Sequence, residues 1–208
     1  MNWHYDGEIQ IRKLATKPFD TNCYVVACPR SGEAVIIDTP AESAKILAQA
    51  KGLRITHILI THTHLDHLGA FDDVRDRLKA PVAIHPSEAN ALSSPPDLTL
   101  EDGDVVAFGT VQLRVLHTPG SICLLSGKHL FPGDTLFPGG PGKTGNPAAF
   151  EQILSSITDK LFVLPDETLV YPGHGDDTVI GKEKQAYAMF SGRPRQPGLC
   201  GDVLWLSS

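Results

Sequence analysis

The densest group of chemically active side chains in this sequence is the segment 61–67, Thr-His-Thr-His-Leu-Asp-His. Three histidines and one aspartate occupy four of its last six positions. His62 and His64 are two residues apart, so in extended backbone their side chains point to the same side. Neutral imidazoles and a carboxylate are ligands that suit Zn(II), Fe(II) or Mn(II). A polar turn with incidental histidines is a poor explanation of this pattern, and the segment predicts a site for a divalent metal ion.

A predicted strand precedes this segment and a predicted helix follows it, which places the segment at the end of a strand. Residues 55–60 form an apolar run typical of a buried strand, and residues 67–79 have helical spacing and stop before Pro81. Asp66 and His67 then fall where the helix begins, which turns them toward the two preceding histidines. The other elements predicted in the first half are strands at 8–14, 23–28, 34–38 and 81–85 and a helix at 41–50.

The second half of the chain is mostly β-structure. The predicted strands are 104–108, 111–116, 122–125, 129–131 and 168–171, with a helix at 147–161. Two β-rich halves that each carry helices favour an α+β fold, with two sheets packed face to face and helices outside. No low-complexity linker interrupts the chain. We therefore expect a single domain over residues 1–208, with 191–208 as a short C-terminal tail packed on it.

The composition is that of an ordinary globular protein, with 41% hydrophobic and 20% charged residues. The net charge of −6 argues against a nucleic-acid partner, whose phosphates attract a basic surface. No run approaches the ~18 apolar residues of a membrane span, and the first residues lack the apolar core of a signal peptide. The four cysteines form no CxxC pair, which favours reduced thiols in a cytoplasmic protein. A homo-oligomer is compatible with the apolar residues 203–206.

Further histidine and aspartate residues follow in an order that resembles a known superfamily. Residues 62–67 are similar to the HxHxDH signature of the metallo-β-lactamase fold hydrolases. The resemblance continues at the ends of predicted strands with Asp38, His117, Asp134 and His174. Within the superfamily, residues 133–145 (GDTLFPGGPGKTG) resemble the bridging-aspartate and glutathione-loop region of small glyoxalase II-type, hydroxyacylglutathione hydrolase-like proteins.

This resemblance implies an αββα sandwich of two mixed β-sheets that holds two divalent metal ions at one edge. Zinc is the expected metal, with iron or manganese as alternatives. By resemblance, the ligands of the first metal are His62, His64 and His117. Those of the second metal are Asp66, His67 and His174. Asp134 would bridge both, because the two oxygens of a carboxylate can reach metal ions ~3.5–4 Å apart.

The resemblance also implies an activity, the hydrolysis of a thioester or related carbonyl ester by a metal-bridging hydroxide. The substrate would be a small molecule, with glutathione-linked thioesters among the candidates. Asp66 would orient the hydroxide and is the candidate catalytic residue. Lys143 resembles the lysine that contacts the glutathione carboxylate, and a solvated loop lysine is its alternative interpretation. Asp38 would steady a ligand histidine, and a carboxylate that caps a turn is the alternative.

One departure from the family pattern concerns the segment that carries His117. Relatives commonly have a doubled turn, HTPGHTPGS, with the second histidine as ligand, whereas here Leu116 leads into a single HTPGS at 117–121. The segment is thus shorter by about four residues, a reach of up to ~14 Å in extended chain. We expect His117 to remain a ligand, because an even shift preserves the faces of a strand. The first metal should then bind more weakly than the second.

Two other functions are compatible with these residues. A mononuclear iron oxygenase of the persulfide dioxygenase kind would use two histidines and a carboxylate, by resemblance His62, His117 and Asp134. The complete ligand set for a second metal weighs against it. A metal-binding homologue whose catalysis is impaired by the shortened turn is the other alternative. A true β-lactamase is not expected, since Asp134 stands where those enzymes often have cysteine.

Overall fold

Strands from the first part of the chain pair in chain order into one mixed sheet. The computed structural model describes residues 2–207. The seven strands of this sheet are β1 (Tyr5–Asp6), β2 (Gln10–Thr16), β3 (Thr21–Ala27), β4 (Glu33–Ile37), β5 (Arg54–Leu59), β6 (Val82–Ile84) and β7 (Leu98–Thr99). The pairs from β1 to β4 are antiparallel and those from β4 to β7 are parallel. Parallel neighbours require crossover connections, which here contain the helices.

The helices of this first unit, Met1–Val115, follow β4 and β5. They are α1 (Ser43–Ala50), α2 (Leu65–Leu68) and α3 (Phe71–Leu78). Ile46 of α1 and Phe71 and Val74 of α3 are buried in one apolar cluster with residues of β3, β4, β5 and β6. Burial of these side chains on the sheet stabilises the crossovers, and it fixes where β5 and α2 place the histidine-rich segment between them.

The helix predicted at 67–79 is divided into α2 and α3 at Gly69. Gly69 approaches the backbone of Ala41 closely, since a Cβ in its place would lie 3.3 Å from the Ala41 nitrogen. The Ala70 N–H donates to the Thr39 carbonyl oxygen at 3.0 Å. The helix is therefore interrupted where Gly69 and Ala70 contact the backbone of residues 39–41. Helical spacing in the sequence does not reveal this interruption.

The hairpin predicted around Gly109 is present as β8 (Val105–Phe108) and β9 (Val111–Thr118). Gly109 has φ 59°, and a Cβ at this position would lie 2.4 Å from Ser31 Oγ and 2.7 Å from Cys28 Sγ. The turn therefore requires glycine for its space and for its backbone conformation. β9 extends beyond the predicted strand at 111–116, so that His117 lies within a strand.

The second unit, Leu116–Ser208, contains short strands that pair in both parallel and antiparallel directions. These are β10 (Ser121–Ser126), β11 (His129–Phe131), β12 (Leu136–Phe137), β13 (Gly140–Pro141), β14 (Leu169–Val170) and β15 (Thr178–Val179). β10 is antiparallel to β11, β11 is parallel to β14, and β14 is antiparallel to β15. β12 and β13 form a separate two-stranded antiparallel ribbon.

Two helices cover strands of the second unit, α4 (Pro147–Ser156) and α5 (Ile180–Ser191). α4 begins where the Asn146 side chain accepts a hydrogen bond from the Ala149 N–H at 2.9 Å, with Pro147 in the first turn. It continues into one π-helical turn, Ile157–Leu161. The helix predicted at 147–161 is thus present, but its winding changes after Ser156.

The apolar C-terminal residues alternate between the core of the second unit and solvent. Val203 and Trp205 are 2% and 0% exposed, whereas Leu204 and Leu206 are 52% and 58% exposed. The Trp205 ring lies 5.2 Å from that of Tyr187, measured between centroids, and packs in the same cluster as α4 and α5. The segment thus packs Val203 and Trp205 on the second unit, and it ends in a turn in which the Ser207 N–H donates to the Leu204 carbonyl oxygen at 3.3 Å.

Each unit combines strands with helices, and the predicted α+β fold with mixed sheets is confirmed. Each unit also has its own apolar cluster. The single domain expected over residues 1–208 stays a prediction. Among residues 2–207, no helix combines the length and apolar character needed to cross a membrane.

Candidate metal centre

The first unit brings together the four histidine and aspartate side chains of the segment 61–67. They follow β5 directly and enter α2. His62 and His67 are 2% and 0% exposed. His62 Nε2 lies 2.9 Å from His64 Nδ1, and the ring centroids of His62 and His67 are 4.2 Å apart. His67 Nε2 lies 3.9 Å from a carboxylate oxygen of Asp66. These are the four residues that the spacing predicted to converge.

Asp38 organises two of these histidines from the end of β4. Its φ of 58° is left-handed, a conformation that aspartate tolerates better than most residues. One carboxylate oxygen, Oδ1, accepts the Thr61 N–H at 2.8 Å. The other, Oδ2, lies 2.8 Å from the Thr61 hydroxyl, which donates to it, and 2.9 Å from His67 Nδ1. Asp38 thus contacts a predicted ligand, as the resemblance implies for it, and also anchors the loop between β5 and α2.

These contacts assign the protonated nitrogen of both buried imidazoles. His67 Nδ1 faces a carboxylate oxygen and therefore carries a proton, so in the neutral imidazole Nε2 carries the lone pair. The Thr61 hydroxyl gives its proton to Asp38 and therefore accepts from His62 Nδ1, 2.9 Å away. His62 Nε2 consequently also carries a lone pair. A metal ion binds the nitrogen that carries the lone pair, and the other ring nitrogen of a ligand histidine is usually held by a hydrogen bond. The donor set of this unit therefore fits a divalent cation.

Three further side chains support the ligands of this segment, and two of them could not be recognised from the sequence. The Thr21 hydroxyl donates to Asp66 Oδ2 at 3.0 Å. Glu88 Oε2 accepts from the hydroxyl and from the N–H of Thr63, at 2.5 and 3.1 Å. Thr61 bridges Asp38 and His62. Threonine next to a ligand is the one local signal that could have been noticed, since Thr21 and Glu88 lie far away in the sequence.

The second unit brings together two of its three predicted ligands. Asp134 follows β11 and His174 follows β14, and their side chains approach to 3.5 Å between Asp134 Oδ2 and His174 Nε2. The two turns are joined by the Gly173 N–H, which donates to the Gly133 carbonyl oxygen at 2.8 Å. Gly142 allows the loop to lie against Asp134, since a Cβ there would be 1.9 Å from the Asp134 carbonyl oxygen. Tight backbone packing therefore helps to set the position of this pair.

His117 lies in β9 just before the shortened turn. Thr118 ends the strand, and Gly120 adopts a positive φ of 89° in the turn to β10. The ammonium group of Lys160 donates to the His117 carbonyl oxygen at 2.8 Å. The Thr118 hydroxyl is 2.8 Å from that of Thr135. The shortened turn is therefore a compact, well-bonded element, and a role of His117 as a ligand stays a prediction.

A cleft of about 310 Å³ adjoins Asp134 and His174 in the second unit. Lys143 lies on this cleft, and its Nζ is 3.7 Å from Asp202 Oδ2. The remaining lining residues are Phe137, Gly140, Pro141, Val203 and Leu204. The cleft thus combines an apolar lining with one positive and one negative side chain at its rim, which is typical of a site for a small polar molecule.

The four cysteines do not contribute to this cleft. Cys23, Cys28, Cys123 and Cys200 are all free thiols. Burial raises the pKa of the Cys23 thiol, and the negative charge of Asp38 raises it further. Burial likewise raises the pKa of Cys123 to about 11, against weaker lowering by hydrogen bonds from Thr118 and Thr135. Both thiols therefore stay protonated and inert near neutral pH.

Comparison with known proteins defines the class of this fold and site. A family model described as the metallo-beta-lactamase superfamily matches residues 16–174. The chain therefore belongs to the metallo-β-lactamase superfamily, a superfamily of metal-dependent hydrolases whose fold binds divalent metals. The resemblance inferred from residues 62–67 and the predicted fold class are both confirmed.

Individual relatives cover different shares of their own length. An uncharacterized protein of Aquifex aeolicus is 36% identical over 205 residues, which are 88% of this chain and 97% of that protein. A hydroxyacylglutathione hydrolase of a Polaromonas species is 40% identical over 161 residues. This second match covers 73% of the present chain but only 60% of that enzyme.

Several solved structures are similar to this chain in both fold and sequence. BLEG-1, a B3 metallo-β-lactamase, aligns with a TM-score of 0.78 and 32% identity, over 84% of this chain and 96% of that one. ETHE1 from Myxococcus xanthus aligns with a TM-score of 0.77 and 33% identity, over 88% and 85% of the two chains. TTHA1623 in a di-iron-bound form aligns with a TM-score of 0.72 and 32% identity, over 84% and 97%.

Proposed function

We propose that this chain is a binuclear metallohydrolase that cleaves a thioester or a related carbonyl ester. The observation that carries the proposal is the fixed protonation pattern of His62 and His67, in which Asp38 and Thr61 occupy both Nδ1 atoms. A site prepared in this way suits metal ions, because each Nε2 lone pair is available for coordination while the other ring nitrogen is held by a hydrogen bond. The similarity to a hydroxyacylglutathione hydrolase supports a thioester as the substrate.

The residues that would hold the metal ions are those that the resemblance implies. His62, His64 and His117 would hold the first metal ion, and Asp66, His67 and His174 would hold the second. Asp134 would be shared by both. Zinc is the expected metal, and the similarity to a di-iron form of TTHA1623 supports iron as the alternative.

When bound, such cations supply Lewis acidity, which polarises a carbonyl group and lowers the pKa of water toward neutrality. The side chains then have defined tasks. Asp66, held by Thr21 through Oδ2, would accept a hydrogen bond from the attacking water and orient it toward the carbonyl carbon. Lys143 at the rim of the cleft would contact a carboxylate of the substrate. The apolar lining would exclude bulk water from the acyl group.

The thiols support a proposal for the cellular location. Four free cysteines, three of them buried, are compatible with a reducing compartment. We place the protein in the cytoplasm on this basis, with a small-molecule substrate as its partner.

Metal content and a substrate panel test the proposal. Protein purified without chelator should contain two metal ions per chain by elemental analysis, and a content near zero would defeat the metallohydrolase assignment. The metal-loaded protein should hydrolyse S-lactoylglutathione at least slowly, and its His62→Gln variant should not. Turnover of lactones or other esters without turnover of any thioester would remove the thioesterase assignment and leave that of a hydrolase.

The oxygenase alternative is compatible with the similarity to ETHE1. It requires one iron ion held by His62, His117 and Asp134, and consumption of oxygen with a persulfide substrate. An impaired metal-binding homologue would instead contain metal and turn over neither class of substrate. One measurement of metal content, oxygen consumption and thioester hydrolysis on the same preparation separates the three functions.

A further inference from the structure

The C-terminal segment, defined here as residues 201–205, forms part of the cleft beside Asp134 and His174. Asp202, Val203 and Leu204 line the cleft opposite the loop that carries Lys143. This wall of the cleft lies beyond residues 16–174, the part of the chain that the family model matches.

This wall is fixed in place by backbone bonds. Thr144 and Gly201 exchange two backbone hydrogen bonds of 3.2 and 2.9 Å. The Trp205 N–H donates to the Gly139 carbonyl oxygen at 2.7 Å, and the Trp205 side chain is fully buried. Gly140 lies so close that a Cβ there would be 2.4 Å from the Val203 carbonyl oxygen. The backbone at Asp202 is thus held in position relative to the loop.

Asp202 faces the positive charge of the cleft. Its Oδ2 is 3.7 Å from Lys143 Nζ, and the two side chains are 77% and 74% exposed. Both charges are therefore accessible to a bound molecule. A substrate carboxylate that approaches Lys143 meets the repulsion of Asp202 within a few ångströms, so the attraction of the lysine is largely cancelled.

We propose that Asp202 is a specificity-determining residue, which offsets the charge of Lys143 so that the cleft accepts thioesters with a neutral or cationic thiol moiety as well as anionic ones. The inference rests on the proposed thioesterase function and names its substrate class. The charge pair Lys143–Asp202 tolerates neutral and cationic thiol moieties and gives anionic ones no advantage. Removal of the Asp202 charge should favour anionic thiol moieties, and removal of the Lys143 charge should favour cationic ones.

Three thioesters with the same acetyl group and different charge test this inference on the metal-loaded protein. They are S-acetylglutathione, which is anionic, S-acetyl-N-acetylcysteamine, which is neutral, and acetylthiocholine, which is cationic. Asp202→Asn should lower the KM for the anionic thioester about threefold relative to the neutral one, and raise that for the cationic thioester about threefold. Lys143→Met should do the reverse. Both shifts should shrink at high salt, because the charges are exposed.

Asp166→Asn is the matched control. Asp166 forms an exposed pair with Lys184 at 2.6 Å in the same unit, and it does not line the cleft. Its removal changes the net charge of the protein equally, so the three KM values should keep their ratios. Equal effects of Asp202→Asn and Asp166→Asn, or a change of all three KM values by one factor, would overturn the inference.

Binding of the three S-methyl thioethers, followed by NMR titration, gives the same comparison without turnover. Charge-ranked binding that shifts in Asp202→Asn, together with no hydrolysis, would refute the proposed function and support the role of Asp202. Hydrolysis of the thioesters with no charge-dependent shift in either assay would refute the role of Asp202 alone.

Discussion

Lys160→Met should lower the affinity of the first metal site as well as the stability of the fold. Lys160 lies in the π-helical turn after α4, and its ammonium group donates to the His117 carbonyl oxygen at 2.8 Å. A hydrogen bond from a charged donor contributes about 1.5–3 kcal/mol. Lys160 is half-buried, so the lower end of this range applies. If this energy holds β9 in position, its loss lowers the affinity for the first metal by about tenfold, since 1.4 kcal/mol is a factor of ten.

Lys184→Met is the matched control for this change. Lys184 Nζ donates to the Leu164 carbonyl oxygen at 2.8 Å, which is the same kind of bond in the same unit. Leu164 is not near a proposed ligand in sequence. Both variants should lose about 1–2 kcal/mol of unfolding free energy in urea, whereas only Lys160→Met should lose metal affinity.

Titration of the metal-free variants with Zn²⁺ in competition with a chromophoric chelator measures both affinities. Lys160→Met should bind its first equivalent like the wild type and its second more weakly, because the site that contains His117 fills last. Wild-type binding of both equivalents by Lys160→Met, or an equal loss in Lys184→Met, would refute the positioning role. His117 would then be held by its strand alone, or would not be a ligand.

Three other changes test separate parts of the structure. Lys143→Ala should raise the KM for S-lactoylglutathione more than it lowers kcat, because a contact to the distal carboxylate is made equally in the ground and transition states. Gly142→Ala should lower metal content and activity by at least about tenfold, since its Cβ would displace Asp134, whereas Gly145→Ala, whose Cβ meets nothing within 4 Å, should not. Cys123 has a pKa raised from 9.0 to about 11 by burial, so the stability that its protonated form contributes is present below pH 9 and lost as the pH rises to about 11. Cys123→Ala should therefore show a smaller loss of unfolding free energy between pH 9 and 11 than the wild type.

The histidine-rich segment could be predicted from the sequence because its geometry is local. His62, His64, Asp66 and His67 lie within six residues, and the ends of strand β5 and helix α2 determine where they point. The apolar run before them and the helical spacing after them are short-range signals. Convergence of these four side chains in the first unit needed no information from the rest of the chain.

The supporting side chains could not be predicted because their partners are distant in sequence. Lys160 is 43 residues from His117, and Glu88 is 25 residues from Thr63. Lysine and glutamate on helices and loops are mostly solvated, so residue type carries no signal. Their roles depend on how turns pack, and the π-helical winding that places Lys160 has no simple sequence pattern. The division of the predicted helix at Gly69 also depends on a residue distant in sequence, because Gly69 packs against the backbone of Ala41.

The protonation pattern of the buried histidines leads to a final prediction about Asp38. In Asp38→Asn, the amide oxygen would still accept the Thr61 N–H, and the NH₂ group would replace Oδ2. This group can only donate, so His67 Nδ1 would have to accept, and its Nε2 would carry the proton. The Thr61 hydroxyl would likewise accept from the amide and donate to His62 Nδ1.

Both buried imidazoles of Asp38→Asn would then present a protonated Nε2, which cannot bind a metal ion. Metal affinity should fall by up to about 100-fold, while the shape and volume of the side chain are kept. Thr61→Ser, which retains the hydroxyl, is the control and should bind metal like the wild type. Long-range ¹H–¹⁵N NMR spectra of the metal-free proteins report which ring nitrogen is protonated. An unchanged tautomer of His62 and His67 in Asp38→Asn, or an unchanged metal affinity, would show that the hydrogen-bond chain from Asp38 does not prepare this site.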